Sequence, residues 1–135
     1  MEKIKTIGDA YLAVSGLPTL DPQHAVKAVN AAIEIRDFIT SYHNERINKH
    51  LPPFAIRIGL NSGPVVAGIV GVKKFAYDIW GDTVNTAARM EQNGEPGRIN
   101  ISGNTFELIK ETYTCEHRGK IPAKNKGQID MYFVN

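Results

Sequence analysis

The stretch Phe75-Ala-Tyr-Asp-Ile-Trp-Gly-Asp-Thr-Val-Asn-Thr-Ala-Ala-Arg-Met90 changes its hydrophobic period at one glycine, and this constrains the chain more than any other feature. An aromatic and β-branched run ends at Gly81, and a helical pattern begins at Asp82, so the segment reads as strand, turn and helix. Asp82 is the expected N-cap, because its carboxylate can accept an orphan N–H of the first turn. Val84, Ala87 and Ala88 form a small apolar stripe, while Asn85 and Arg89, four apart, share a polar face. A guanidinium near a glycine break suits phosphate, since its planar fork matches phosphate oxygens. Asp78 adds an acceptor just before the break. On spacing alone, a solvated surface face is the commoner use of such a pair.

The remainder supplies elements to pack against this unit. Met1 to Val14 reads as two short strands around Gly8-Asp9, with a type II′ turn that puts Asp9 at the hairpin tip. Gly16-Leu17-Pro18 ends the second strand. The chain opens abruptly on a strand, which suggests that something precedes Met1. Asp21-Pro22 signals a helix start, and Ala25, Ala28, Ala32, Ile35, Ile39 and Tyr42 recur at helical spacing until Pro52-Pro53. Ile56, Ile58 and Leu60 alternate as a strand, and Val65 to Gly71 forms another, whose Gly68 and Gly71 would admit close backbone approach. After the opening unit come a loop at 93–97, a strand from Arg98 to Ile101, and a helix capped by Ser102 with Phe106, Ile109 and Leu108 inward. Tyr113 to His117 and Ile129 to Val134 close the fold, joined by a basic loop of Arg118, Lys120, Lys124 and Lys126. The alternation of strands and helices argues an α/β, or α+β, sandwich: a mostly antiparallel sheet with helices on one face.

Composition limits the function classes. The 135 residues, 42% hydrophobic, have room for a single domain over 1–135 with one core. A net charge of +2 is too mild to argue for nucleic acid, and a small polyanion suits it as well. The single cysteine, Cys115, excludes an internal disulfide and fits a reducing, cytoplasmic setting, and its context is that of a buried strand residue. No apolar run approaches the roughly 20 residues of a membrane span, and no secretion signal opens the chain, so no membrane contact is expected of this segment. Asn100-Ile101-Ser102 is a formal glycosylation sequon without meaning outside secretion. His24, His43 and His50 lack metal-ligand spacing, and neither a P-loop nor a nucleophile elbow is present.

Asp9 at a hairpin tip is a hard-oxygen ligand suited to Mg²⁺ or Mn²⁺, Lys5 and Asp78 form a donor and acceptor pair, and Arg89 and Lys124 offer charge to phosphate. In their wording these segments resemble the class III nucleotide cyclase catalytic domain. Lys3-Ile-Lys-Thr-Ile-Gly-Asp-Ala-Tyr-Leu-Ala-Val-Ser-Gly-Leu-Pro18 is similar to the metal-carboxylate hairpin of that family, and Arg57-Ile-Gly-Leu-Asn-Ser-Gly-Pro-Val-Val-Ala-Gly68 to its central hairpin. The opening stretch is similar to its base and phosphate segment, and Lys124 to Phe133 to its terminal strand.

The resemblance implies a ferredoxin-like cyclase fold and an adenylate cyclase that makes 3′,5′-cyclic AMP and pyrophosphate from ATP with two Mg²⁺ or Mn²⁺ ions. Asp9 matches one of two metal aspartates, and Lys5 with Asp78 the purine-selecting pair. Asn85 matches the ribose-orienting residue, Arg89 the group at the α-phosphate, and Lys124 the group at the terminal phosphates. Adenine shows an acceptor beside a donor and so calls for lysine with aspartate, whereas guanylate cyclases typically carry Glu and Cys there. The resemblance further implies a head-to-tail homodimer, or a pairing with another cyclase domain, with Asp9 from one chain opposite the remaining residues of its partner. Family members carry a strand and a helical segment before this start, with the first metal aspartate. The expectation is therefore an N-terminally truncated domain of weak or no turnover alone, with an unpaired sheet edge open to exchange. Two alternatives stay open: a non-catalytic nucleotide-binding or regulatory half-site module, and a guanylate cyclase.

Overall fold

A computed structural model of the chain describes residues 1–123 and 127–135. The described elements run in the order β1 (Glu2–Ile7), β2 (Ala10–Val14), α1 (His24–Asn48), β3 (Ile58–Leu60), β4 (Val66–Val70) and β5 (Ala76–Trp80). They continue through α2 (Asp82–Gln92), β6 (Ile99–Ser102), α3 (Gly103–Ile109), β7 (Cys115–Ala123) and β8 (Gly127–Val134). Backbone pairing groups the strands into a four-stranded sheet in the order β3-β6-β8-β7 and two separate ribbons, β1-β2 and β4-β5. Among the described strands only β3 with β6 is parallel. The α+β class and the mostly antiparallel pairing follow the expectation.

The core forms where β6 crosses the middle of the larger sheet. All four of its residues are buried. Ile99 and Ile101 point to one face, where they meet Ala25, Val29 and Ala32 of α1, Ile109 of α3 and Val134 of β8. Asn100 and Ser102 alternate to the other face. There α2 packs, with Asn100 Nδ2 donating to Met90 O at 2.8 Å. Helices therefore cover both faces: α1 and α3 share one as expected, but α2 takes the opposite side. Gly59 is the reason, since a Cβ built there would fall 2.0 Å from Glu91 N and 2.5 Å from Met90 C. The backbone of α2 occupies the space a side chain would need, which makes Gly59 the close-approach glycine. Gly68 meets only Trp80 at an ordinary 3.5 Å, and Gly71, at φ +132°, serves the turn between β4 and β5.

Several local expectations change. The N-cap of α2 is Gly81 at φ 122°, and Asp82 is the first helical residue without a side-chain cap. The left-handed backbone of Gly81 turns its carbonyl to accept Val84 N and Asn85 N. Asp82 then favours the helix only through its charge at the positive end. The buried face of α2 is Thr83, Thr86 and Met90; Val84 and Ala87 are half-buried, and Ala88 is exposed. Thr83 can bury because its hydroxyl donates to Pro64 O. Asp21 does not cap α1 directly: its Oδ1 accepts Gln23 N at 2.8 Å in the turn that precedes His24. The buried residues of α1 are Ala25, Val29 and Ala32, all in its N-terminal half, while Ile35 and Tyr42 are exposed. In α3, Ser102 accepts Thr105 N as expected and Ile109 is buried, but Leu108 is 54% exposed on the outer face.

A candidate nucleotide site spread over two ribbons and one helix

Lys5 and Asp78 lie on different ribbons, and local backbone geometry brings them together. The β1-β2 register slips between Lys3, opposite Ala13, and Lys5, opposite Leu12. Adjacent strand residues face opposite ways, so this bulge sends Lys3 and Lys5 to different sides. Lys3 Nζ sits 5.7 Å from the Tyr11 ring centre on one side. Lys5 Nζ reaches Asp78 Oδ2 at 2.9 Å on the other. Asp78 stands opposite Gly68 in the β4-β5 ladder, and its Oδ1 accepts Ile79 N at 2.8 Å. The hydrogen bond from Lys5 holds the Asp78 carboxyl below the ordinary carboxylate range, with the Ile79 amide adding to it and desolvation opposing it. The side chains keep 43% and 19% of their exposure, so both can still face a ligand. An ammonium has three donors and a carboxylate about four acceptor positions, so their mutual bond leaves capacity on each.

Asn85 and Arg89 are one turn apart on α2, as their spacing requires. Asn85 is exposed. Arg89 reaches β7, where Nη2 donates to Pro122 O at 2.5 Å. Its Nε is buried without a hydrogen-bond partner among the described residues. Lys124 lies outside the described residues, two positions beyond Pro122.

Asp9 is exposed at the β1-β2 tip. Ile7 pairs with Ala10, leaving the expected two-residue Gly8-Asp9 loop, with Gly8 at φ 59° and Asp9 not at positive φ, as a type II′ turn requires. Among the described residues no group of three or more His, Cys, Asp and Glu side chains could hold a metal. Asp9 nevertheless fits a small divalent cation, because Mg²⁺ is commonly held by one or two carboxylates with substrate phosphates and water supplying the rest. The structure brings Lys5 to Asp78 and Asn85 to the face of Arg89; within one chain it forms no ion pair between Asp9 and Arg89 among the described residues.

Arg118 and Lys120, expected in a basic loop, lie within β7. Their strand is bulged between His117 and Gly119. That extra residue keeps His117 and Lys120 on one side, where His117 Nε2 and Lys120 Nζ both reach Asp130, at 2.9 and 3.1 Å. In a regular strand, residues three apart would face opposite ways. The signal was an isolated glycine after Arg118 inside a strand pattern, which is a bulge mark. Asn100, noticed only as part of a sequon, is fully buried with its amide committed to α2.

The chain spans less than a third of the curated relatives it matches. An adenylate cyclase of Mycobacterium tuberculosis is 37% identical over 134 residues, covering 99% of this chain and 29% of that protein. Human guanylyl cyclase C is 44% identical over 138 residues, covering 98% of this chain and 12% of that protein. Among solved structures, the guanylate cyclase domain of RhGC from Catenaria anguillulae, in complex with GTP, superposes with a TM-score of 0.88 at 41% identity, covering 99% of this chain and 71% of that one. The family described as "Adenylate and Guanylate cyclase catalytic domain" matches residues 1–135, and with these relatives on both sides of the purine divide, the chain belongs to that family of nucleotide cyclases.

Proposed function

We propose that this domain acts on ATP, forming 3′,5′-cyclic AMP and pyrophosphate. The observation that carries this reading is the 2.9 Å Lys5–Asp78 pair. The adenine edge offers an N1 acceptor beside an N6–H donor, which an ammonium and a carboxylate complement, whereas guanine offers O6 as acceptor and N1–H as donor and would set its groups against them.

In the reaction, the ribose 3′ hydroxyl gives up its proton to solvent, and its oxygen bonds to the α-phosphorus as the bond from that phosphorus to the pyrophosphate oxygen breaks, the pyrophosphate leaving with the electron pair. Asn85 orients the ribose. Arg89 faces the charge that builds on the α-phosphate, with a fixed fork of donors in a partly dry site. Lys124 holds the terminal phosphates. Asp9, with the triphosphate, would hold Mg²⁺ or Mn²⁺, which would supply charge neutralisation and activation of the nucleophile. The expected assembly is a head-to-tail dimer in which Asp9 of one chain faces Arg89 of the other. This is consistent with their lack of an ion pair within one chain.

Guanylate cyclase is the second reading, favoured by the higher identity to human guanylyl cyclase C than to the mycobacterial adenylate cyclase. Competition of ATP and GTP against a fluorescent nucleotide, with Mn²⁺, compares the two bases independently of turnover, and product analysis then measures cyclic AMP and cyclic GMP. ATP should win, and the Lys5→Glu, Asp78→Cys double variant should shift preference toward GTP. A parent that favours GTP, or a variant that keeps its ATP preference, defeats the assignment. Bound ATP with no cyclic AMP formed at any protein concentration would favour a non-catalytic nucleotide-binding module.

A further inference from the structure

We propose that Arg118 is a positioning residue for Arg89, acting through the C-terminal end of α2. This rests on the phosphate role assigned above to Arg89. Arg118 is the bulged residue of β7, and the bulge aims its guanidinium under α2 instead of along the strand. Its Nη1 donates to Asn93 O at 2.8 Å and to Asn100 Oδ1 at 3.0 Å. Asn93 is the C-cap of α2, and its own Nδ2 donates to Arg89 O at 2.9 Å. Asn100, fully buried, passes the connection on through Nδ2 to Met90 O. The guanidinium carbon lies over the Phe133 ring, 4.0 Å from its centre, so the group is held by packing as well as by hydrogen bonds. Among the described residues Arg118 forms no ion pair, and its charge is answered by carbonyl and amide oxygens at the helix end.

The end of α2 is thus fastened to β7 twice. Arg118 reaches from the strand to the helix at Asn93, and Arg89 reaches back to the strand at Pro122, four residues further along. The two ties fix both the height and the rotation of the last turns of α2, and so the direction in which the remaining donors of Arg89 point. Loosening the Arg118 tie would let Arg89 drift relative to the α-phosphate.

Arg98 provides an internal control. It lies over the same Phe133 ring at the same 4.0 Å, but its side-chain partner is Glu116 at 3.6 Å, and among the described residues its side chain forms no hydrogen bond or ion pair with α2. Lysine at 118 keeps the charge but loses the planar fork and the stack. In steady-state assays with Mn²⁺ and whichever nucleotide is turned over, R118K should lower kcat by roughly ten- to a hundredfold with KM changed less than about threefold, the scale of an ångström of misplacement. R98K should stay within about twofold of the parent. In an R89A background R118K should cost no further kcat, because the group it positions is gone. Independently of turnover, the Arg89 Nε–H resonance should exchange faster with solvent in R118K than in R98K. Equal losses in R118K and R98K, multiplied losses in the R89A background, or an unchanged Arg89 Nε–H overturns the inference. A parent that makes no cyclic nucleotide sinks the proposed function instead, and the Nε–H comparison then decides the positioning role alone.

Discussion

Replacing Gly59 by alanine should separate α2 from the sheet that carries it. The added methyl would sit 2.0 Å from Glu91 N and 2.5 Å from Met90 C, both backbone atoms, whereas ordinary van der Waals contact begins near 3.4 Å. No rotamer can relieve this, so the helix must move by more than 1 Å or β3 must bend. Overpacked cores lose typically 1–3 kcal/mol, and an obstacle made of backbone belongs at the upper end, about 3 kcal/mol. For a domain of this size that corresponds to a fall in Tm of roughly 10 °C. Catalysis should fall further than stability implies, since Asn85 and Arg89 ride on the displaced helix and an ångström of misplacement can cost about a hundredfold. Thermal unfolding followed by circular dichroism, with kcat measured well below the transition, tests both effects. Gly68→Ala is the comparison, because its methyl would meet only Trp80 at 3.5 Å and should leave Tm nearly unchanged. A G59A protein that melts within about 2 °C of the parent and keeps its turnover would refute the account of how α2 is seated.

Ser102→Ala removes the cap on Thr105 N and the donor to Asn61 Oδ1, and should cost about 2–3 kcal/mol in urea unfolding; a loss under about 0.5 kcal/mol would show that neither bond matters. Lys5→Met removes the first cause of the lowered Asp78 pKa, so carboxyl NMR titration should show Asp78 moving up toward the ordinary carboxylate range. Since the folded-state pKa is the depressed one, the stability contributed by this pair is present above the ordinary carboxylate pKa and disappears as pH falls through the lowered value. Parent and K5M should therefore converge in strong acid, and an unmoved Asp78 titration would break the link. Asp9→Asn should raise the Mn²⁺ concentration for half-maximal activity on the order of tenfold or more while leaving metal-free nucleotide binding unchanged; an unaltered Mn²⁺ dependence would remove Asp9 from the metal site.

What could be read in the chain was whatever a local rule decides. Gly8-Asp9 permits one tight hairpin turn, Ser102 precedes a helix whose third amide it can reach, and the opening stretch must be strand, turn and helix. The pairing of Lys5 with Asp78 came from resemblance, since two residues so far apart in sequence carry no spacing signal. The misreadings share a different cause, in which tertiary packing outvoted local preference. Val84, Ala87 and Ala88 look like the inward face of α2, yet Thr83 and Thr86 are buried: the Thr83 hydroxyl finds Pro64 O in the loop after β3, and Gly59 sets which side of the helix touches the sheet. Leu108 looks like core but lies beyond the reach of β6 and β8. Arg118 and Lys120 look like loop cations, and only the pairing of β7 with β8 shows that a basic segment continues as strand.

The two bulged strands have a consequence for which changes this domain can tolerate. Lys5 and Arg118 each stand where one strand carries a residue more than its partner, so their orientation is a matter of counting, odd or even, along the backbone. Substitutions leave that parity untouched. Deleting a single residue between Lys5 and the turn, such as Thr6, would even out the ribbon and set Lys5 opposite Tyr11, away from Asp78, with its side-chain chemistry intact. In such strands, length heredity matters as much as residue identity: a gap one codon long is the lesion that no conservative replacement can mend.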